Sequence, residues 1–159
     1  MEAWHEEIKQ FILLADKHKV RMLMVGGGAV NYYGYQRHSA DVDFWIETKE
    51  DNLKKLLNVF TAMNYDIDSF PDKVKEQQQN ISLKFSPALL NIELITNFSI
   101  NKSFEQAFKD SKLVKTEEGP QKLQWRVIAF EDLIDSKVKS GRAKDLLDIQ
   151  ELQKIQSEK

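Results

Sequence analysis

Two groups of residues in the first third of the chain have types and spacing suited to phosphate chemistry. Gly26, Gly27 and Gly28 follow an apolar run, and Asp41 and Asp43 lie about fifteen residues further on. Glycines between a strand and a helix let the backbone approach a ligand closely and expose N–H groups, and phosphate is the usual partner of such a turn. By itself the glycine run is also typical of close packing between backbone segments.

Asp41 and Asp43 are two residues apart among β-forming residues, so their side chains are expected on one face of a strand, roughly 7 Å apart. Two such carboxylates repel each other unless cations neutralise them, and Mg²⁺ prefers carboxylate and phosphate oxygens. The alternative is a strand end whose aspartates face water. The segment is not a P-loop, because no Gly-Lys-Ser/Thr follows. It is a poor dinucleotide fingerprint, because Asn31 occupies the third glycine position.

Together these residues resemble the signature of the nucleotidyltransferase superfamily that includes DNA polymerase β. That signature is a hydrophobic residue before Gly-Gly or Gly-Ser, a short helix, and then hydrophobic-Asp-x-Asp-hydrophobic. The matching stretches here are 24–27 and 40–44. The run from Arg37 to the aspartates is especially similar to small bacterial members, the minimal nucleotidyltransferases and the abortive-infection type enzymes of toxin–antitoxin systems. The resemblance implies that the nucleotide is bound by Gly26, Gly27, Gly28, Arg37 and Ser39.

The superfamily requires a third acidic residue on a later strand. Glu93 lies between Ile92 and Leu94, where alternation alone would also allow it to face water. The resemblance makes it the third ligand, so that Asp41, Asp43 and Glu93 would bind two Mg²⁺ ions. The implied reaction transfers a nucleoside monophosphate from an NTP to a hydroxyl acceptor. A tRNA end, a partner protein and a small molecule all remain open as the acceptor.

The stretch 128–149 also resembles the abortive-infection type family. Its pattern is a helix with Lys137, a short Gly-Arg break ending at Arg142, and a Lys-Asp pair, Lys144 and Asp145, at the start of the next helix. The resemblance implies that Lys137 and Arg142 extend towards the triphosphate, with Asp145 holding one of them in place. The alternative is a solvated corner between two helices with ordinary ion pairs.

Positioning these residues requires a framework, and hydrophobic periodicity predicts a mixed α/β chain. With the resemblance, the expected class is α/β (α+β), a nucleotidyltransferase fold whose mixed β-sheet is flanked by helices, with further helices at the C-terminus. The predicted strands are 20–25, 42–46, 65–69, 81–85, 91–96 and 123–128. The predicted helices are 3–18, 29–35, one that begins near 48, 103–110, 131–140 and 143–155, the last with an apolar face of Leu146, Leu147, Ile149 and Leu152.

Length and composition limit the remaining possibilities. A chain of 159 residues predicts one domain, 1–159, and a net charge of -2 argues against a strongly basic nucleic-acid surface. The absence of cysteine excludes disulfides, thiolate metal sites and cysteine nucleophiles. With no long apolar run and an acidic, amphipathic start, the expectation is a cytoplasmic protein without a membrane segment.

Two other functions compete with the enzyme. A non-catalytic module on the same scaffold would bind nucleotide, RNA or protein, and a toxin or antitoxin is a possible partner protein. A nucleotide-dependent dehydrogenase or kinase is disfavoured because neither fingerprint is present. Serine–histidine hydrolysis lacks its motif, and the three histidines are expected at the surface or at an interface.

Overall fold

A computed structural model describes residues 4–39, 41–85, 90–116 and 122–159, which leaves Ala40 of the matched motif outside the described residues. Within those ranges the chain forms six strands and seven helices. The strands are β1 (Met22–Val25), β2 (Asp41–Ile46), β3 (Ile81–Leu83), β4 (Asn91–Ile95), β5 (Lys112–Lys115) and β6 (Gln124–Val127). The helices are α1 (Glu6–Lys17), α2 (Gly26–Tyr32), α3 (Glu50–Ala62), α4 (Asp72–Lys75), α5 (Phe104–Asp110), α6 (Phe130–Ser140) and α7 (Ala143–Ser157).

The strands form one mixed sheet in the order β3-β4-β2-β1-β6-β5. β2 is central, antiparallel to β1 and parallel to β4. β1 also pairs in parallel with β6, while β3 and β5 add antiparallel edges. The predicted class, a mixed α/β fold with helices flanking the sheet and two more at the C-terminus, is confirmed.

Strand alternation separates the core from the chemistry on β2. Val42 and Phe44 are buried, whereas Asp41 and Asp43 are only partly covered and point to the opposite face. Phe44 packs against Phe11 of α1, with ring centroids 6.2 Å apart. Burial of each such aromatic side chain stabilises the fold by about 1.5–3 kcal/mol. The same packing therefore fixes the direction in which the two aspartates face.

The strands of the structure differ from the predicted ones in two places. Residues 65–69, predicted as a strand, form an irregular and largely exposed segment that begins after Asn64, whose φ is 68°. Its anchoring comes instead from the rings of Tyr65 and Phe70, each centred 5.7 Å from the ring of Phe60. Conversely, β5 was not predicted. It is a four-residue edge strand with lysine at both ends, so it shows little apolar alternation.

The last helix is rotated relative to the sequence prediction. Of the predicted apolar face, Leu152 is buried and Ile149 is half-buried, but Leu146 and Leu147 are 58% and 47% exposed, so the prediction is wrong for those two leucines. The buried residues of α7 are Leu152 together with Asp145 and Asp148, which the predicted face did not include. Both aspartates form ion pairs with cations. None of the helices in the described ranges is both long and apolar enough to cross a membrane.

We expect Leu152→Ala to lower the free energy of unfolding by about 2–5 kcal/mol, because it empties a fully buried position. Leu147→Ala on the same helix is the matched control, and its cost is expected within about 0.5 kcal/mol. Urea denaturation of both variants measures the difference. Equal losses would contradict the orientation of α7.

Candidate active site

The glycine run forms the first turn of α2 instead of a loop before it. β1 ends at Val25 and the helix begins at Gly26, three residues earlier than predicted. Gly26 has a φ of 60°, and a Cβ atom there would lie 2.4 Å from Oδ2 of Asp43. Glycine is therefore required twice, by the left-handed backbone and by the carboxylate above it.

Gly27 is in close contact with the segment that leads into β2. A Cβ atom at Gly27 would lie 2.4 Å from Oγ and 2.7 Å from Cβ of Ser39. The Ser39 hydroxyl donates a 2.8 Å hydrogen bond to the backbone carbonyl of Asp41. A Cβ atom at Gly28 would lie 3.0 Å from Sδ of Met24. Gly26 and Gly27 thus allow α2 to approach β2 and the segment that leads into it, whereas Gly28 allows it to approach β1.

The sheet register brings the three predicted carboxylates to one face. Asp43 on β2 is paired with Glu93 on β4, and Asp41 is paired with Asn91 in the same parallel ladder. Paired residues on neighbouring strands project to the same side of the sheet. Burial and the negative charges of Asp41 and Glu93 raise the pKa of Asp43 from 3.8 to about 6. The negative charges of Asp41 and Glu93 therefore act on Asp43 across the sheet.

The carboxylates are not gathered round a single point. Glu93 accepts a 2.5 Å hydrogen bond from the Ser82 hydroxyl on β3, which draws it towards the edge of the sheet. In the parts of the chain that the structure describes, no three acidic or histidine side chains are arranged to hold a metal ion. The donor chemistry suits Mg²⁺, since these are carboxylates whose mutual repulsion a cation would relieve.

Lys137 and Arg142 form a cationic corner around Asp145. Arg142 donates from Nε to Oδ2 of Asp145 at 2.7 Å and from Nη2 to Oδ1 at 3.2 Å. Nζ of Lys137 lies 3.4 Å from Oδ1 of Asp145. Burial of Asp145 would raise its pKa, but the hydrogen bond from Arg142 and the charge of Lys137 outweigh it and lower the pKa to about 2.

A pocket of about 270 Å³ joins Asp43 to the cationic corner. Its lining includes Gly26 and Asp43 together with Lys137, Arg142 and Asp145. Positive charge from Lys137 acts on Asp43 and opposes the rise of its pKa. The pocket therefore brings a carboxylate and lysine and arginine side chains to one cavity, an arrangement that suits a polyanion bound together with cations.

Arg37 is placed differently from the other predicted cations. Its guanidinium donates from Nε and Nη2 to the two carboxylate oxygens of Asp148 at 2.8 and 3.0 Å. Asp148 was not singled out in the sequence, although its position three residues after Asp145 puts both on one helical face. The pocket also includes residues after β4 and on α6 for which the sequence offered no signal, namely Asn97, Ser99 and Lys139.

Gly27→Ala is expected to destabilise the protein by about 1–3 kcal/mol, because the new methyl group overlaps Ser39. Removing the obstructing side chain in Gly27→Ala/Ser39→Gly should recover part of the loss. Chemical denaturation of the wild type, both single variants and the double variant measures this coupling. Additive effects would contradict the contact.

The raised pKa of Asp43 predicts that the free energy of unfolding of the metal-free protein depends on pH. Its folded-state pKa of about 6 exceeds the ordinary 3.8, so between these values the folded state binds more protons than the unfolded state. Stability therefore falls as pH rises from about 4 to 6, by up to roughly 3 kcal/mol. In EDTA, Asp43→Asn should be more stable than wild type at pH 7.5, with the difference shrinking by pH 4. A constant difference across this range would contradict the raised pKa.

No curated protein matches the chain. Residues 1–157 match the model of a family described as a nucleotidyltransferase of unknown function, DUF6036. The match spans all of the elements described above, including the glycine turn, the three carboxylates and the cationic corner. The protein therefore belongs to this nucleotidyltransferase family.

Proposed function

We propose that the protein transfers a nucleoside monophosphate from an NTP to a hydroxyl acceptor, with Mg²⁺ bound by Asp41, Asp43 and Glu93. The observation that carries this proposal is the pocket between Asp43 and the cations Lys137 and Arg142. Asp43 offers a carboxylate for a metal ion, and Arg142, whose side chain is more than half exposed, offers positive charge for phosphate. Membership of a nucleotidyltransferase family supports the same reaction class.

The donor set fits two Mg²⁺ ions by chemistry, because three carboxylates share one face of the sheet, and burial together with the charges of Asp41 and Glu93 raises the pKa of Asp43. When bound, Mg²⁺ would neutralise phosphate charge and lower the pKa of the acceptor hydroxyl. The Ser82 hydroxyl donates to one oxygen of Glu93, and a carboxylate that accepts one hydrogen bond keeps further lone pairs, so Ser82 orients Glu93 without excluding it as a ligand.

The chain's own residues have separate parts in the proposed reaction. Arg142 has a side chain 57% exposed beside the pocket, so it is available to the triphosphate, while buried Lys137 supplies charge from behind. Backbone N–H groups of the glycine turn and the Ser39 hydroxyl complete the nucleotide site in this proposal. The acceptor oxygen attacks the α-phosphorus, pyrophosphate leaves, and Asp43 or Glu93 accepts the hydroxyl proton.

The acceptor class is not identified by the pocket. A tRNA end, a hydroxyl on a partner protein and a small molecule remain candidates. By resemblance, the cellular setting we propose is a toxin–antitoxin or resistance system. The second candidate function is a non-catalytic nucleotide-, RNA- or protein-binding module on this scaffold. The observation that favours it is that, among the described residues, no three acidic or histidine side chains are arranged to hold a metal ion.

The test is to incubate the protein with Mg²⁺ and each α-labelled NTP, with total tRNA, its own chain or an aminoglycoside as acceptor. Pyrophosphate release and label transfer are expected. Asp41→Asn and Asp43→Asn should each lower the rate by at least about 100-fold, the usual scale for losing a group that stabilises transition-state charge.

Asp110→Asn is the matched control, because it removes a carboxylate from the exposed ion pair with Lys102 on another surface. Its rate should stay within about twofold of wild type. Turnover that persists in the Asp41 and Asp43 variants would refute the metal assignment. If nucleotide binds but none of these conditions gives pyrophosphate release, the non-catalytic module is favoured.

A further inference from the structure

Asp148 is a buried carboxylate that joins parts of the chain far apart in sequence. Its side chain is 1% exposed on α7. It accepts two hydrogen bonds from Arg37, and Nζ of Lys137 lies 3.1 Å from its Oδ2. Burying an unpaired carboxylate is strongly unfavourable, so these two cations are what allow α7 to pack with Asp148 inward.

Both cations belong to elements that form the candidate active site. Arg37 lies four residues before Asp41, in the segment that enters β2. Lys137 lies on α6 and lines the pocket opposite Asp43. A single carboxylate is thus in contact with the approach to the aspartates and with the cationic corner.

The segment around Arg37 is fixed at several further points. The Arg37 backbone N–H donates to Oδ1 of Asn31 at 3.1 Å, and Ser39 donates to the carbonyl of Asp41. Gly34, with φ of 112°, leaves room for Ile155 of α7, whose Cγ2 would lie 3.3 Å from an added Cβ. The segment is therefore held by contacts with α2 and with α7, and those with α7 are made by Gly34 and Arg37.

We propose that Asp148 is a positioning residue, which holds Arg37 and Lys137 so that the aspartates of β2 and the cationic corner keep a fixed spacing. Arg37 acts in this arrangement as a strut and not as a phosphate ligand. The importance of this spacing for the nucleotide rests on the proposed function. The structural role of Arg37, which links the segment before β2 to Asp148, does not.

The geometry of Arg37 supports this assignment over direct phosphate binding. Two of its three guanidinium nitrogens are committed to Asp148, and Nη1 lies 3.3 Å from the carbonyl oxygen of His38. A bidentate pair to a buried carboxylate is a strong and directional contact. Arg142 contrasts with it, because its side chain is more than half exposed and it lines the pocket.

The first test needs no ligand. Arg37→Gln and Asp148→Asn should each lower the thermal midpoint by about 5 °C or more, and the double variant should be no less stable than the worse single variant. In two-dimensional NMR spectra, Asp148→Asn should shift the backbone amides of Asp41 and Asp43. Glu151→Gln, which removes one negative charge from the same helix, should leave those amides unchanged. Additive midpoints, or shifts confined to α6 and α7, would overturn the proposal.

The second test uses MgATP and MgAMP as probes. Asp148→Asn makes the protein more positive, so charge alone predicts tighter ATP binding, whereas loss of positioning predicts a dissociation constant raised by about fivefold or more. Glu151→Gln should change it by less than about twofold. Arg37→Gln should weaken ATP and AMP by similar factors. Tighter ATP binding in Asp148→Asn, or a selective loss of ATP in Arg37→Gln, would overturn the positioning role.

The two tests separate this inference from the proposed function. If the wild type binds no nucleotide, the proposed function fails, and the midpoints and amide shifts still decide whether Asp148 positions β2. If nucleotide binds but the double-variant midpoints are additive, the nucleotide site stands and the strut is refuted.

Discussion

The burial of two carboxylates on one face of α7 is the constraint on which the site geometry depends. Asp145 and Asp148 are at most 1% exposed, and each is in contact with cations from elsewhere in the chain. Without Arg37, Lys137 and Arg142 their burial would be strongly unfavourable. The helix therefore packs by charge pairing at Asp145 and Asp148 as well as by apolar contact at Leu152, and the pairing with Arg37 joins α7 to the segment that enters β2.

A second constraint acts at the other side of the pocket. Gly26 and Gly27 let the first turn of α2 lie against Asp43 and Ser39, at distances that leave no room for a side chain. Close packing was the alternative explanation for the glycine run, and it accounts for both positions. A backbone that close to a carboxylate is also able to approach a phosphate, so the packing and ligand roles of the glycines are compatible.

Many of the helices and strands were predictable because each shows a local periodicity of apolar residues. Helix α1 buries residues at the expected helical spacing, and β2 alternates between apolar and acidic side chains. The two differences between the predicted and the observed strands share a cause. Residues 65–69 look like a strand but pair with none in the sheet, and β5 lacks a clear pattern but pairs with β6. Strand formation depends on a partner, which the segment's own residues do not specify.

For the candidate site, the sequence by itself determined the residue types: glycines before a helix, two aspartates two residues apart, and a glutamate between aliphatic residues. It also placed Lys137, Arg142 and Asp145 within nine residues of one another. Only the tertiary structure decided that Glu93 lies beside Asp43, that α7 turns its acids inward, and that Arg37 is bound by Asp148, 111 residues away. Local spacing specifies which side chains share a strand or helix face. Which faces pack together depends on two free-energy costs, that of burying charged groups and that of leaving apolar surface in water. Both costs depend on contacts made by the whole chain.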